Sequence, residues 1–93
     1  MDSATPKPSF TPKQGQYLAF IHAYALVMGR PPAEADMQRF FAVTPPSVHQ
    51  MVLTLEHSRL IRRKLGVARS IEILVPPEIL PKLQPVISSV QWY

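Results

Sequence analysis

The sequence predicts a mainly α domain closed by a small β-hairpin, and three observations carry that prediction. Apolar residues recur at helical spacing from Tyr17 to Met28, at Met37, Phe40 and Phe41, and from Val48 to Leu55. Prolines follow threonines at Thr11-Pro12 and Thr44-Pro45, the order expected of a capped helix start. After Leu60 the period changes, and two short runs flank a loop that contains Gly66. With 93 residues, 46% of them hydrophobic, the chain has the length of one domain and enough apolar surface for one core.

Helix one is expected over about residues 12–28. Thr11 caps it, Pro12 stands where a missing N–H does no harm, and Gln14 completes a capping box. Tyr17, Leu18, Ile21, Tyr24, Ala25 and Met28 make one broad apolar face, widened by Phe20. Gly15 weakens the first turn, and Gly29 followed by Pro31-Pro32 ends the helix. Helix two is expected over about residues 33–41, with Met37, Phe40 and Phe41 buried. Glu34 and Asp36 in its first turn suit the positive end of the helix dipole. Helix three starts at Pro45 with Thr44 as cap and ends near His57-Ser58, and Val48, Met51, Val52 and Leu55 face inward. Residues 60–64 and 70–75 then read as strands, the second alternating Ile71, Ile73 and Val75 with Ser70, Glu72 and Leu74.

Three helices and a hairpin with a basic first strand are the element order of a winged helix-turn-helix. Residues 1–10 read as a flexible leader and 11–75 as that domain. Residues 76–93 form a Pro-rich apolar tail, where Pro77-Glu78-Ile79-Leu80 is expected to make one helical turn. Apolar surface of this extent is rarely left in water, so the tail is expected to dock on the domain or on a second subunit.

Composition removes several functions. There are no cysteines, which excludes disulfides, thiolate metal sites and cysteine nucleophiles, and this fits a cytoplasmic protein. No run of residues approaches a membrane span, and the N-terminus has no secretory pattern. Three scattered histidines do not make a metal site, and no nucleophile, carboxylate pair or phosphate loop suggests catalysis. Lys82, Ser88 and Ser89 lie close together, but a Ser–Lys dyad needs a rigid, desolvated scaffold that a Pro-broken tail does not offer. No cofactor, metal, catalytic residue, membrane or small-molecule substrate is therefore expected.

The net charge of +4 is unevenly placed. Arg59, Arg62, Arg63, Lys64 and Arg69 are half of the ten basic residues, and no acid lies between Glu56 and Glu72. Such a cluster attracts an anionic partner. Beside it, helix three is expected to turn Ser47, His49 and Gln50 outward. Gln pairs with adenine, Ser suits several bases, and His can donate to guanine or a phosphate. A recognition helix presents short polar groups of this kind to a major groove from its N-terminal half. Arg62, Arg63, Lys64 and Arg69 around the hairpin turn are the expected wing contacts to backbone or minor groove. The competing use of these cations is a cross-strand pair of Arg62 or Arg63 with Glu72. The aromatic residues Tyr17, Phe20, Tyr24, Phe40 and Phe41 are read as core, and Leu53 as either core cover or a thymine-methyl contact.

These residues carry a resemblance. Thr11-Pro12-Lys13-Gln14, Gly29-Arg30-Pro31-Pro32, Asp36-Met37, Thr44-Pro45, Leu60-Ile61-Arg62-Arg63 and Ala68-Arg69-Ser70-Ile71-Glu72 occur in one ordered series. Over Thr11 to Leu74 the chain resembles the N-terminal DNA-binding domain of LexA-type repressors. The resemblance implies a regulator, a repressor by its family, that binds operator DNA as a homodimer on a two-fold site. It places major-groove reading on Thr44, Pro46, Ser47, His49 and Gln50. Pro46 departs from the family's polar or small residue, so the operator is expected to differ from the usual one. Arg59 stands where the family has glycine, which strains the backbone if φ is positive there. The family's self-cleaving protease domain is not expected within these 93 residues, and the tail with Trp92 and Tyr93 is the expected substitute for its dimer contact. The alternative is a winged helix that binds another protein and no DNA, favoured by the modest net charge and the uncharged recognition helix.

Overall fold

The computed structural model describes residues 9–85. In chain order the elements are α1 (Pro12–Met28), α2 (Glu34–Phe41), α3 (Pro45–His57), β1 (Ile61–Arg62), β2 (Glu72–Ile73) and a 3-10 turn (Pro77–Ile79). The two strands pair antiparallel, with Ile61 opposite Ile73 and Arg62 opposite Glu72. The fold is mainly α with a β-hairpin wing, as the sequence predicts. No helix among the described residues is long and apolar enough to cross a membrane.

Helix α1 begins with a reciprocal capping box. The Thr11 hydroxyl accepts from the Gln14 amide (3.1 Å), and the Gln14 side chain accepts from the Thr11 amide (2.9 Å). It ends at Gly29, whose φ of 77° places it in the left-handed region while its amide reaches the Ala25 carbonyl. Tyr17, Leu18, Phe20 and Ile21 are buried. The last turn differs from expectation. Met28 is exposed together with Leu26 and Val27, because α1 runs beyond the elements packed on it.

Helix α2 starts one residue later than expected, at Glu34, and buries Met37 completely. Aromatic stacking ties it to α1. Tyr17 lies on Phe41 with ring centroids 4.1 Å apart, and Phe20 on Phe40 at 4.6 Å. Such pairs are worth about 0.5–1.5 kcal/mol each beyond the area they bury. Tyr17 and Phe20 are buried as expected, whereas Phe40 and Phe41, expected to be buried, are partly buried and pack against the core, as does Tyr24. Helix α3 sends Val48, Val52 and Leu55 into the same core, to which Leu60, Ile61, Ile71 and Val75 of the hairpin segment contribute.

The C-terminus of α3 closes with a six-residue turn in which Leu60 N–H bonds to the Leu55 carbonyl and Arg59 N–H to that of Glu56, each at 3.0 Å. That motif requires a left-handed residue, and Arg59 supplies it with φ of 62°. The strain expected of a non-glycine at this position is therefore present, at about 1 kcal/mol.

The strands are shorter than the runs 60–64 and 70–75 suggest. Ser70 is the reason. Its hydroxyl accepts from the Lys64 amide (2.9 Å) and donates to the Val67 carbonyl (2.8 Å), so a side chain replaces the ladder partner. Arg69, at φ 55°, breaks the extended backbone beside it. The inward alternation of Ile71, Ile73 and Val75 holds, with Glu72 and Leu74 exposed.

The domain is larger than residues 11–75. Phe10, Leu80 and Leu83 pack against the core. Gln16 donates to the Lys82 carbonyl (3.0 Å) and accepts from the Gln84 amide (2.8 Å), which fastens residues 80–84 along α1. The described part of the tail thus docks on its own domain. The expectations for residues 1–8, Ser88, Ser89, Trp92 and Tyr93 lie outside the described residues. Gly15 makes the docking possible, since a Cβ there would stand 2.9 Å from Pro81 Cγ and 3.0 Å from Phe10 Cε1. Gly15→Ala gains about 1 kcal/mol of helix propensity but pushes against both rings. The expected outcome is little net change in global stability and lost hydrogen-exchange protection at the Gln84 amide. Unchanged protection at Gln84 would show that the segment seats without the glycine.

Candidate nucleic-acid interface

The N-terminal half of α3 follows α2 after a turn through Ala42, whose φ of 55° reverses the chain. With Val48, Val52 and Leu55 facing the core, Pro46, Ser47, His49, Gln50 and Leu53 are all exposed. Periodicity alone dictates this, because the three inward residues occupy one side of the helix. Thr44 holds the N-cap position, but its hydroxyl bonds to the Ser47 hydroxyl (2.9 Å) rather than to a backbone amide. Capping by the Thr44 side chain is therefore corrected. The two hydroxyls form one polar unit at the helix start; Pro45 and Pro46 carry no N–H and the Ser47 and Val48 amides bond to the Thr44 carbonyl, so an anion there meets hydroxyls and the positive end of the dipole rather than free amides. Leu53 is 38% exposed at the C-terminal edge of this strip.

His49 is not free-standing. Its Nδ1 lies 3.3 Å from each carboxylate oxygen of Glu34, at the start of α2. Glu34 also faces Arg63 Nη1 at 3.8 Å. Sequence reasoning assigned Glu34 to the helix dipole and missed this contact. The two residues are 15 positions apart, and only the packing of α2 on α3 joins them.

The wing cations have different fates. Arg62 pairs with Glu72 across the hairpin at 2.8 Å, both side chains being exposed. Such a pair contributes about 0–1 kcal/mol and opens readily for a stronger anion. Arg63 donates to Glu56 at 3.1 Å and is only 21% exposed. Arg69 turns away from the wing surface. Its Nη1 donates to Asp36 (3.0 Å), to the Tyr24 hydroxyl (3.1 Å) and to the Pro31 carbonyl (3.4 Å). The placement of Arg69 among the outward wing residues is corrected: its left-handed backbone aims the side chain under the wing, at α1 and α2. Lys64 and Arg59 are exposed, and neither has an ion-pair partner among the described residues. The wing tip itself is apolar, with Leu65 94% and Val67 53% exposed.

Asp36 anchors this arrangement. It is 8% exposed and accepts from the Ala33 amide (2.8 Å), from Arg69 and from Arg39. The Ala33 amide first, then the Arg69 and Arg39 charges, hold its carboxyl below the usual range, against burial acting the other way. Ala33 has no hydroxyl, so only half of a capping box forms at α2, and that absence hid Asp36 in the sequence. Among the described residues no cluster of three or more His, Asp or Glu is placed to hold a metal. No protein-family model matches this chain.

Proposed function

We propose that this protein binds double-stranded DNA sequence-specifically and acts as a transcriptional regulator. Helix α3 enters the major groove, and the wing lies along the backbone or minor groove. The exposed strip Thr44, Pro46, Ser47, His49 and Gln50, standing clear of a core-facing apolar side, carries this reading. Gln50 is the residue suited to a bidentate pair with adenine, and Ser47 with Thr44 to a phosphate or base at the helix start. A LexA-like repressor working as a homodimer on a two-fold site is the form the resemblance implies, and the absence of cysteine fits a place in the cytoplasm.

The ion pairs set the electrostatic part of that reading. Lys64, Arg59 and the weakly held Arg62 serve phosphates, while Arg63 and Arg69 serve the fold. In duplex titrations log K should fall with log salt at a slope of about −2 to −3 per bound protomer, since each phosphate contact contributes about −0.9. Lys64→Ala lowers that slope by about one, and Arg69→Ala leaves it unchanged while destabilising the fold. Gln50→Ala relaxes base preference at one position with the slope retained. Absence of binding to any duplex from a random pool at about 50 mM salt would sink the proposal. That result would favour the second reading, a protein-binding winged helix, for which the apolar wing tip at Leu65 and Val67 is the specific observation.

A further inference from the structure

The contact between His49 and Glu34 says which chemical group the ring offers outward. A neutral imidazole carries one proton, and the nitrogen that keeps it is set by the hydrogen bond the other atoms make. A carboxylate accepts only, so Nδ1, at 3.3 Å from both Glu34 oxygens, must be the protonated nitrogen. Nε2 then bears a lone pair. The ring is 54% exposed on the outer side of α3, and Nε2 has no hydrogen-bond partner among the described residues.

Other charges facing the ring are few. Glu34 comes from α2, and Arg63 from the segment after β1 reaches the same carboxylate at 3.8 Å. Arg63 is held in turn by Glu56 of α3, and Lys64 lines the cleft between the wing and the start of α2 along with Glu34 and Arg63. Arg63 is the one Lys or Arg side chain within 4 Å of the Glu34 carboxylate among the described residues, and a carboxylate offers the ring acceptors only.

We propose that Glu34 is a specificity-determining positioning residue: it pins His49 as the Nδ1–H tautomer, so that Nε2 accepts a hydrogen bond from an exocyclic amino group on a base. The target is the N4 amino group of cytosine or the N6 amino group of adenine in the major groove. This inference rests on the DNA-binding reading above. It reverses the sequence-based expectation that His49 donates to guanine or a phosphate. When His49 takes up a proton both ring nitrogens become donors, and the preferred partner changes to the guanine N7 and O6 acceptors.

Two measurements on the full chain test this. Nitrogen-15 NMR of the free protein near pH 8, above the range in which imidazoles ordinarily titrate, should show His49 protonated at Nδ1, with Glu34→Ala shifting the proton towards Nε2. A wild-type ring protonated at Nε2 overturns the inference whether or not DNA binds. The second measurement selects duplexes from a random pool and identifies the position whose preference His49→Ala abolishes. At about pH 8 the wild type should prefer cytosine or adenine there by about tenfold over guanine. Glu34→Ala should erase most of the tenfold preference at that position while preferences elsewhere persist. A guanine preference at about pH 8, or full discrimination retained in Glu34→Ala, overturns the role of Glu34 and leaves the DNA-binding reading intact. Failure to bind any duplex overturns both, and the tautomer measurement separates that case from a ring that is simply not pinned.

Discussion

Replacing Leu55 with alanine is expected to cost about 3 kcal/mol of stability and to lower the denaturation midpoint with an unchanged slope. Leu55 is fully buried on α3 in the cluster shared with Leu18, Ile21, Met37 and Ile61. Removing its side chain forfeits transfer free energy and leaves a cavity that α1 and the hairpin cannot both relax to fill. Its carbonyl also receives the Leu60 amide in the turn that starts the wing, so the helix cannot shift freely to close the gap. For a domain of this size, whose whole stability is about 5–10 kcal/mol, that is a third or more of the total. Leu53→Ala, two residues away on the exposed side, should cost well under 1 kcal/mol. Equal costs at the two positions in urea titrations would mean that α3 is rotated from the orientation described, and the outward strip would go with it.

Asp36→Asn is the second large effect, expected at about 2 kcal/mol. The amide keeps the volume but loses the charge that holds Arg69 and Arg39. Most of the cost falls on Arg69 and the Ala33 amide, because the Arg39 side chain is 73% exposed and its attraction is screened. The pH dependence follows from the lowered carboxyl. A group whose folded value lies below its unfolded one stabilises fully above the unfolded value of about 3.9, and that contribution fades as pH falls through the folded value. The wild type should therefore lose stability more steeply than Asp36→Asn as pH drops below about 5. Thermal melts between neutral and acidic pH measure this directly, and parallel acid limbs would remove Asp36 as the source.

The helices were legible because their ends are written in local chemistry. Thr11, Pro12, Gln14 and Gly29 mark α1 to the residue, since each acts on backbone groups within four positions. The hairpin was legible in kind but not in length, because Ser70 supplies a hydrogen bond that no alternation pattern announces. The outward strip of α3 followed from the inward stripe of Val48, Val52 and Leu55. The charges were the least legible. Alternation along the strands admits a pair of either Arg62 or Arg63 with Glu72, and the register selects Arg62. Arg69 with Asp36, 33 positions apart, depends on the sign of a single backbone angle and on how α2 packs under the wing. The same holds for Glu34 and His49, whose meeting is a product of helix packing rather than of spacing.

Gly15 lies against both Phe10 and Pro81, whose atoms stand 2.9–3.1 Å from a would-be Cβ. Their identities are consequently not independent variables in evolution. Among relatives of this protein, a larger residue at position 15 should be accompanied by smaller ones at 10 and 81, and such covariation would mark which of them share the docked segment. A library that randomises the three positions together should recover folded combinations that no single-site scan reveals.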